Sequence, residues 1–139
     1  GEEDVKRIMQ YPFNMFASDA SIRVLNAGMP HPRGYGTNAR VLGKYVREEK
    51  VITLEEAIRR MTSLPAQKFQ LSDRGILKEG MAADIVIFDE KEVKDMATFE
   101  KPHAYSKGFH YVIVNGVITA ENEKHLGVRA GKALYHISQ

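Results

Sequence analysis

The sequence contains no cysteine and no tryptophan. Without cysteine there is no disulfide framework, thiolate metal site or cysteine nucleophile, and the redox compartment cannot be read. An excess of charge of one sign is also missing. Twenty Lys and Arg stand against eighteen Asp and Glu, for a formal charge of +2. The basic residues are dispersed, with Lys6-Arg7 and Arg59-Arg60 the only adjacent pairs. That argues against a surface that tracks nucleic-acid phosphates. No apolar stretch approaches the ~20 residues that cross a bilayer, so no membrane partner is expected. The start, Gly1-Glu2-Glu3-Asp4, is acidic and lacks the basic-then-apolar order of a signal peptide. Neither a GxSxG elbow, a Walker loop, a GxGxxG turn nor an HExxH helix occurs, and the five histidines never form an HxH pair.

What remains is an ordinary globular composition: 43% hydrophobic and 27% charged residues over 139 positions. This predicts one domain's worth of chain with a core of its own. The pattern changes character near residue 75. Helical spacing dominates before it, and short apolar runs broken by turn residues follow it.

Residues 4–10 read as the end of a helix, stopped by Tyr11-Pro12. Phe13 to Ala17 reads as a short buried strand, and residues 26–38, with three glycines and two prolines, as a long loop. Residues 39–50 place Val41, Leu42, Tyr45 and Val46 on one helical face. A second helix opens at Thr53 with capping-box spacing to Glu56, and carries a stripe of Leu54, Ala57, Ile58, Met61 and Leu64. Residues 66–71 read as a further helical turn beyond Pro65. In the last third, Asp84 to Asp89 is a strand bracketed by acids whose expected role is strand-end solvation. Tyr111 to Val114 and Val117 to Thr119 form a hairpin around Asn115-Gly116. Two or three strands make a marginal sheet, so the pattern predicts the end of a larger protein.

The chemistry-bearing residues are few. Asp19 follows the apolar run and precedes the Gly/Pro loop. An acid at the mouth of a buried strand suits a metal ligand or a general base, and Ser-Asp-x-Ser equally suits an Asx turn or helix N-cap. Arg33, between Pro32 and Gly34, suits bidentate carboxylate binding or bonds to loop carbonyls. His31 suits proton transfer or plain exposure, and Tyr35 packing or a catalytic phenol. His103 and His110 stand in no ligand motif and are expected to be structural, and His125 and His136 carry no signal.

These residues together resemble the C-terminal part of the N-acyl-D-amino-acid deacylases (D-aminoacylases) of the amidohydrolase superfamily. Ser18-Asp19 is similar to that family's serine–aspartate after the last barrel strand. PHPRGYGTNARVLGKYVRE (30–48) is similar to its Pro-His-Pro-Arg loop and the helix after it. LEEAIRRMTSLPAQKFQLSDRGILKEGMAADIVIFD (54–89) and ATFEKPHAYSKGFHYVIVNGVIT (97–119) resemble the barrel's end and the closing β-domain strands. MTSLPA, ADIVIFD and VNG are shared with dihydroorotase-like and hydantoinase-like enzymes, whereas PHPRGYGT and ATFEKPH point to the D-aminoacylase branch. Ala20 stands where the family often has glycine.

The resemblance implies an α/β plus β fold. It makes 1–74 the last β/α unit of a TIM-like barrel with its substrate loop and following helices. It makes 75–139 the C-terminal strands of a small composite β-sandwich domain. It implies a zinc-dependent cytoplasmic hydrolase acting on small N-acyl-D-amino acids. Asp19 would be the general base and a possible metal ligand, Arg33 the grip on the substrate's α-carboxylate, and His31 and Tyr35 further substrate-side residues. The other metal-ligating histidines have no counterpart here. The expectation is therefore a fragment that binds no catalytic zinc by itself, does not hydrolyse substrate alone, and self-associates through exposed strands. A cyclic amidase of the same superfamily and a noncatalytic β-domain interaction module are the alternatives.

Overall fold

The computed structural model describes residues 1–135; His136 lies outside them. Helix α1 (Glu2–Met9) opens the chain. A non-repetitive stretch leads to α2 (Arg33–Arg40), which runs directly into a π-helical segment, Val41–Glu48. Helices α3 (Leu54–Met61) and α4 (Ser63–Lys68) follow. Strands β1 (Ile85–Phe88), β2 (Phe109–Val114), β3 (Val117–Glu121) and β4 (Lys124–His125) form one antiparallel sheet in sequence order.

The expected hairpin is present. Val114 pairs with Val117, and Asn115 and Gly116 both have positive φ, 49° and 79°, as a two-residue primed turn requires. The Thr53 hydroxyl accepts the Glu56 N–H at 3.2 Å. The Glu56 carboxylate does not reach back to complete the capping box. It binds Arg59 and Arg60 instead, because two guanidinium groups outcompete one backbone N–H for a carboxylate. Pro65 lies in the first turn of α4, where its missing N–H would have had no helical partner.

Three expectations are corrected. Phe13 to Ala17 is not a buried strand. Phe13 and Met15 are exposed, and the Phe16 N–H to the Arg60 carbonyl, at 3.4 Å, does not make a ladder. A strand exists only by pairing, and among the described residues nothing pairs with this one. The 26–38 loop ends early, since α2 begins at Arg33. Gly36 serves packing, because a Cβ there would sit 2.9 Å from the Asp95 Cβ, and Gly28 takes a left-handed φ of 69°. The acids around β1 are partners rather than solvated ends. Asp84 accepts the Asn115 N–H at 2.8 Å and pairs with Arg74, and Asp89 accepts the Lys91 N–H at 2.7 Å.

The core joins both halves of the chain. Met9, Ala39, Val41, Leu42, Tyr45, Ala57 and Val93 are buried together, with Phe16, Ile58, Phe88 and Phe109 packed against them. Val93 is the point of contact. Gly43 and Gly108 both abut its backbone, and a Cβ on either would come within 2.7 Å of it. Arg47 caps the Val93 carbonyl at 2.6 Å. Burial of an aliphatic side chain contributes ~1.5–3 kcal/mol, so this contact ties the segment after β1 firmly to the π-helical segment.

Candidate active site

Asp19 lies in the non-repetitive stretch before α2 at φ 48°, a left-handed conformation that aspartate tolerates better than most residues. Its carboxylate is 85% exposed and lies 2.9 Å from the Arg33 guanidinium (Oδ2 to Nη2). Packing explains the approach. The first turn of α2 lies against the residues just after Asp19, so that a Cβ on Gly34 would stand 3.6 Å from both the Ala20 Cβ and the Arg23 Cγ.

The Arg33 backbone is fixed on both sides. Its N–H donates to His31 Nδ1 at 3.0 Å, and its carbonyl accepts the Thr37 hydroxyl at 2.9 Å. The guanidinium itself is half exposed. It lines an open cavity of about 450 Å³ shared with Ser18, Tyr105 and Phe109. It also lines a second cavity of about 370 Å³ shared with His31, Arg40 and Phe99. An arginine with its backbone fixed and its head in open space suits capture of a small carboxylate.

The structure thus brings Asp19 and Arg33 together. His31 sits beside them, but its Nδ1 is spent on the Arg33 backbone and its ring packs edge-on against Phe99, centroids 4.9 Å apart. Tyr35 turns away from the pair. Its hydroxyl meets His103 Nδ1 at 3.0 Å, and its carbonyl accepts the Ser106 hydroxyl at 3.1 Å. His103, expected to be structural, and Ser106, which carries no sequence signal, are neighbours of the site. They reach it across 68 and 71 positions, and no local pattern reports a contact at that range.

Among the described residues, no group of three or more His, Asp or Glu side chains is placed to hold a metal ion. A catalytic zinc takes three protein ligands and keeps a fourth position open. Asp19 supplies at most one of these, so the described residues do not make a zinc site by themselves.

The chain belongs to the amidohydrolase family, whose model matches residues 3–120. Among its relatives are deacylases of N-acylated D-amino acids, and over 55 to 65 residues it also matches dihydroorotases of Lactobacillus species. It is 47% identical over 115 residues to an N-acyl-D-glutamate deacylase of Alcaligenes xylosoxydans xylosoxydans, covering 83% of this chain and 23% of that protein. It is 41% identical over 133 residues to a D-aminoacylase of the same organism, covering 96% of this chain and 27% of that protein. The crystal structure of N-acyl-D-glutamate deacylase from Bordetella bronchiseptica, complexed with zinc and a phosphonate mimic of the tetrahedral intermediate, superposes with a TM-score of 0.79 at 43% identity. That match covers 88% of this chain and 26% of that one. The chain therefore spans about a quarter of the length of the relatives it matches.

Proposed function

We propose that this chain is the C-terminal part of a metal-dependent hydrolase that cleaves the amide bond of N-acyl-D-amino acids, releasing a carboxylate and a D-amino acid. The observation that carries the reading is the Asp19–Arg33 pair, set in a chain that over 115 residues is 47% identical to an N-acyl-D-glutamate deacylase and over 133 residues is 41% identical to a D-aminoacylase. In this reading 1–74 is the end of a TIM-like barrel, and 75–139 is the C-terminal share of a β-sandwich domain.

The two side chains divide the work by charge. The Arg33 fork presents parallel N–H groups that match the two oxygens of an α-carboxylate, so it fixes the end of the substrate that does not react. Asp19 is within reach of the same small molecule, and an exposed carboxylate can accept a proton and return it to a leaving amine. His31 holds the Arg33 backbone and Tyr35 holds the helix turn that follows it. Zinc, where bound in a hydrolase, lowers the pKa of a coordinated water toward ~7. The remaining ligands would come from the rest of the whole protein.

Self-association of the isolated chain belongs to the same reading. β1 is an edge of the sheet and carries Val86 and Ile87 half exposed, and an uncovered apolar edge recruits other strands. Sedimentation at rising concentration should show oligomers, and a clean monomer would remove this element.

The deciding experiment is an assay of the whole protein against N-acyl-D- and N-acyl-L-amino acids with and without added zinc. Zinc-dependent release of the D-amino acid is expected. Turnover of the L-series alone, or of neither series, would overturn the assignment.

A further inference from the structure

One imidazole, from the segment between β1 and β2, holds both flanks of the stretch that carries Arg33. His103 Nδ1 accepts the Asn26 backbone N–H at 3.1 Å and lies 3.0 Å from the Tyr35 hydroxyl. His103 Nε2 lies 2.8 Å from the Gly28 carbonyl. A backbone N–H can only donate and a carbonyl can only accept, so these contacts are satisfied together by the neutral ring with its proton on Nε2. The Tyr35 hydroxyl then donates to Nδ1, sharing that lone pair with Asn26. The turn it holds is left-handed at both positions, with Asn26 at φ 65° and Gly28 at φ 69°, residue types that adopt this backbone readily. Tyr35 is held in turn, its ring edge-on to the imidazole with centroids 5.7 Å apart. Asn26 and Gly28 precede Arg33, and Tyr35 follows it by half a helical turn.

We infer that His103 is a positioning residue for substrate recognition: through Asn26, Gly28 and Tyr35 it fixes where the Arg33 guanidinium presents itself to a carboxylate. This rests on the reading of Arg33 as the carboxylate grip. Arg33 has a half-exposed head, and a long side chain loses binding power if its anchor drifts, because the fork must meet two oxygens at once. The effect therefore belongs to carboxylate recognition and not to the proton transfers assigned to Asp19.

The test uses the whole protein and a matched pair of substrates, an N-acyl-D-amino acid and its α-carboxamide. His103→Phe keeps a ring and removes both nitrogens. It should raise KM for the acid about tenfold, the scale of one or two lost hydrogen bonds. It should leave kcat within about threefold and shrink the preference for acid over amide by a similar factor to the KM change. His103→Asn, whose carbonyl can replace Nδ1 as acceptor, should recover part of the preference. Tyr35→Phe, which removes one contact, should lie between wild type and His103→Phe, and these two milder variants decide the matter if His103→Phe does not fold. An unchanged acid-to-amide preference in all three variants overturns the inference, as does a fall in kcat without a change in KM. Arg33→Met separates the two levels. If it abolishes the preference while the His103 and Tyr35 variants do not, only the positioning role fails. If Arg33→Met leaves the preference intact, the reading of Arg33 fails and this inference fails with it.

Discussion

The Arg33 guanidinium stands 2.9 Å from the Asp19 carboxylate, although a loop with two prolines and a glycine-bearing turn separates them in the chain. One partner is mostly exposed and the other half exposed, so the pair contributes little to stability. Its geometry places two opposite charges at one surface point, where each stays open to solvent.

Removing either charge should therefore hurt activity far more than folding. In the whole protein, Asp19→Asn should lower kcat by about 10²- to 10⁴-fold, the usual share of a general acid–base group. Arg33→Met should act on KM by about tenfold or more, as expected for a charge-assisted contact. Urea midpoints should stay near wild type for both. Steady-state kinetics beside unfolding curves check this, and equal losses of stability and activity would contradict it.

The isolated chain should show no metal-dependent deacylation. Its described residues offer no cluster of three or more metal-binding side chains, and one carboxylate does not replace the three ligands of a catalytic zinc. Incubating the purified chain with zinc and an N-acyl-D-amino acid, and following free amine, gives the answer. Zinc-dependent turnover would refute it.

A cyclic amide should be a poor substrate for the whole protein. A grip such as Arg33 gives binding energy only to a molecule that presents an open carboxylate to the guanidinium fork. Side-by-side kcat/KM values for an N-acyl-D-amino acid and a dihydropyrimidine or hydantoin should favour the open chain. The reverse preference would move the assignment to the cyclic amidases.

Acid should weaken the helical part in a defined window. Hydrogen bonds from Arg59 and then Arg60 hold the Glu56 carboxyl at about 2, against an ordinary 4.5. The folded state therefore binds that proton less readily than the unfolded state. The contribution is fully present above about 4.5 and is lost as pH falls toward about 2. Glu56→Gln should remove this part of the acid sensitivity. Urea midpoints from pH 6 to pH 2 for both proteins should converge at the acid end, and parallel curves would show that Glu56 is not responsible.

Gly108→Ala should destabilise by several kcal/mol. Gly108 has φ 83°, and a Cβ there would lie 2.5 Å from the Val93 N, so backbone strain and overpacking act together. Gly116→Ala is the control. It also has positive φ, 79°, but nothing lies within 4 Å of the added carbon, so it should cost about 1 kcal/mol. Equal effects at the two sites would refute the packing argument.

Amino-acid order alone determined the local events. The Thr53 cap, the apolar faces around Val41 to Tyr45 and Leu54 to Met61, the apolar run of β1 and the Asn115-Gly116 turn each depend on neighbours a few residues away, and periodicity and turn chemistry report such neighbours. The motif around Arg33 and the serine–aspartate pair were also legible, because the order of short motifs survives without coordinates. Tertiary structure decided the rest. Phe13 to Ala17 has strand-like composition but no strand, because pairing is a property of two segments. The Gly/Pro-rich stretch has loop composition, yet Arg33 to Arg40 is helical with Asp95 packed against Gly36. His103 is structural, as expected, but its partners Tyr35, Asn26 and Gly28 meet around its ring only in the folded chain. Long-range contacts of this kind depend on how elements pack, and no short window of residues contains that information.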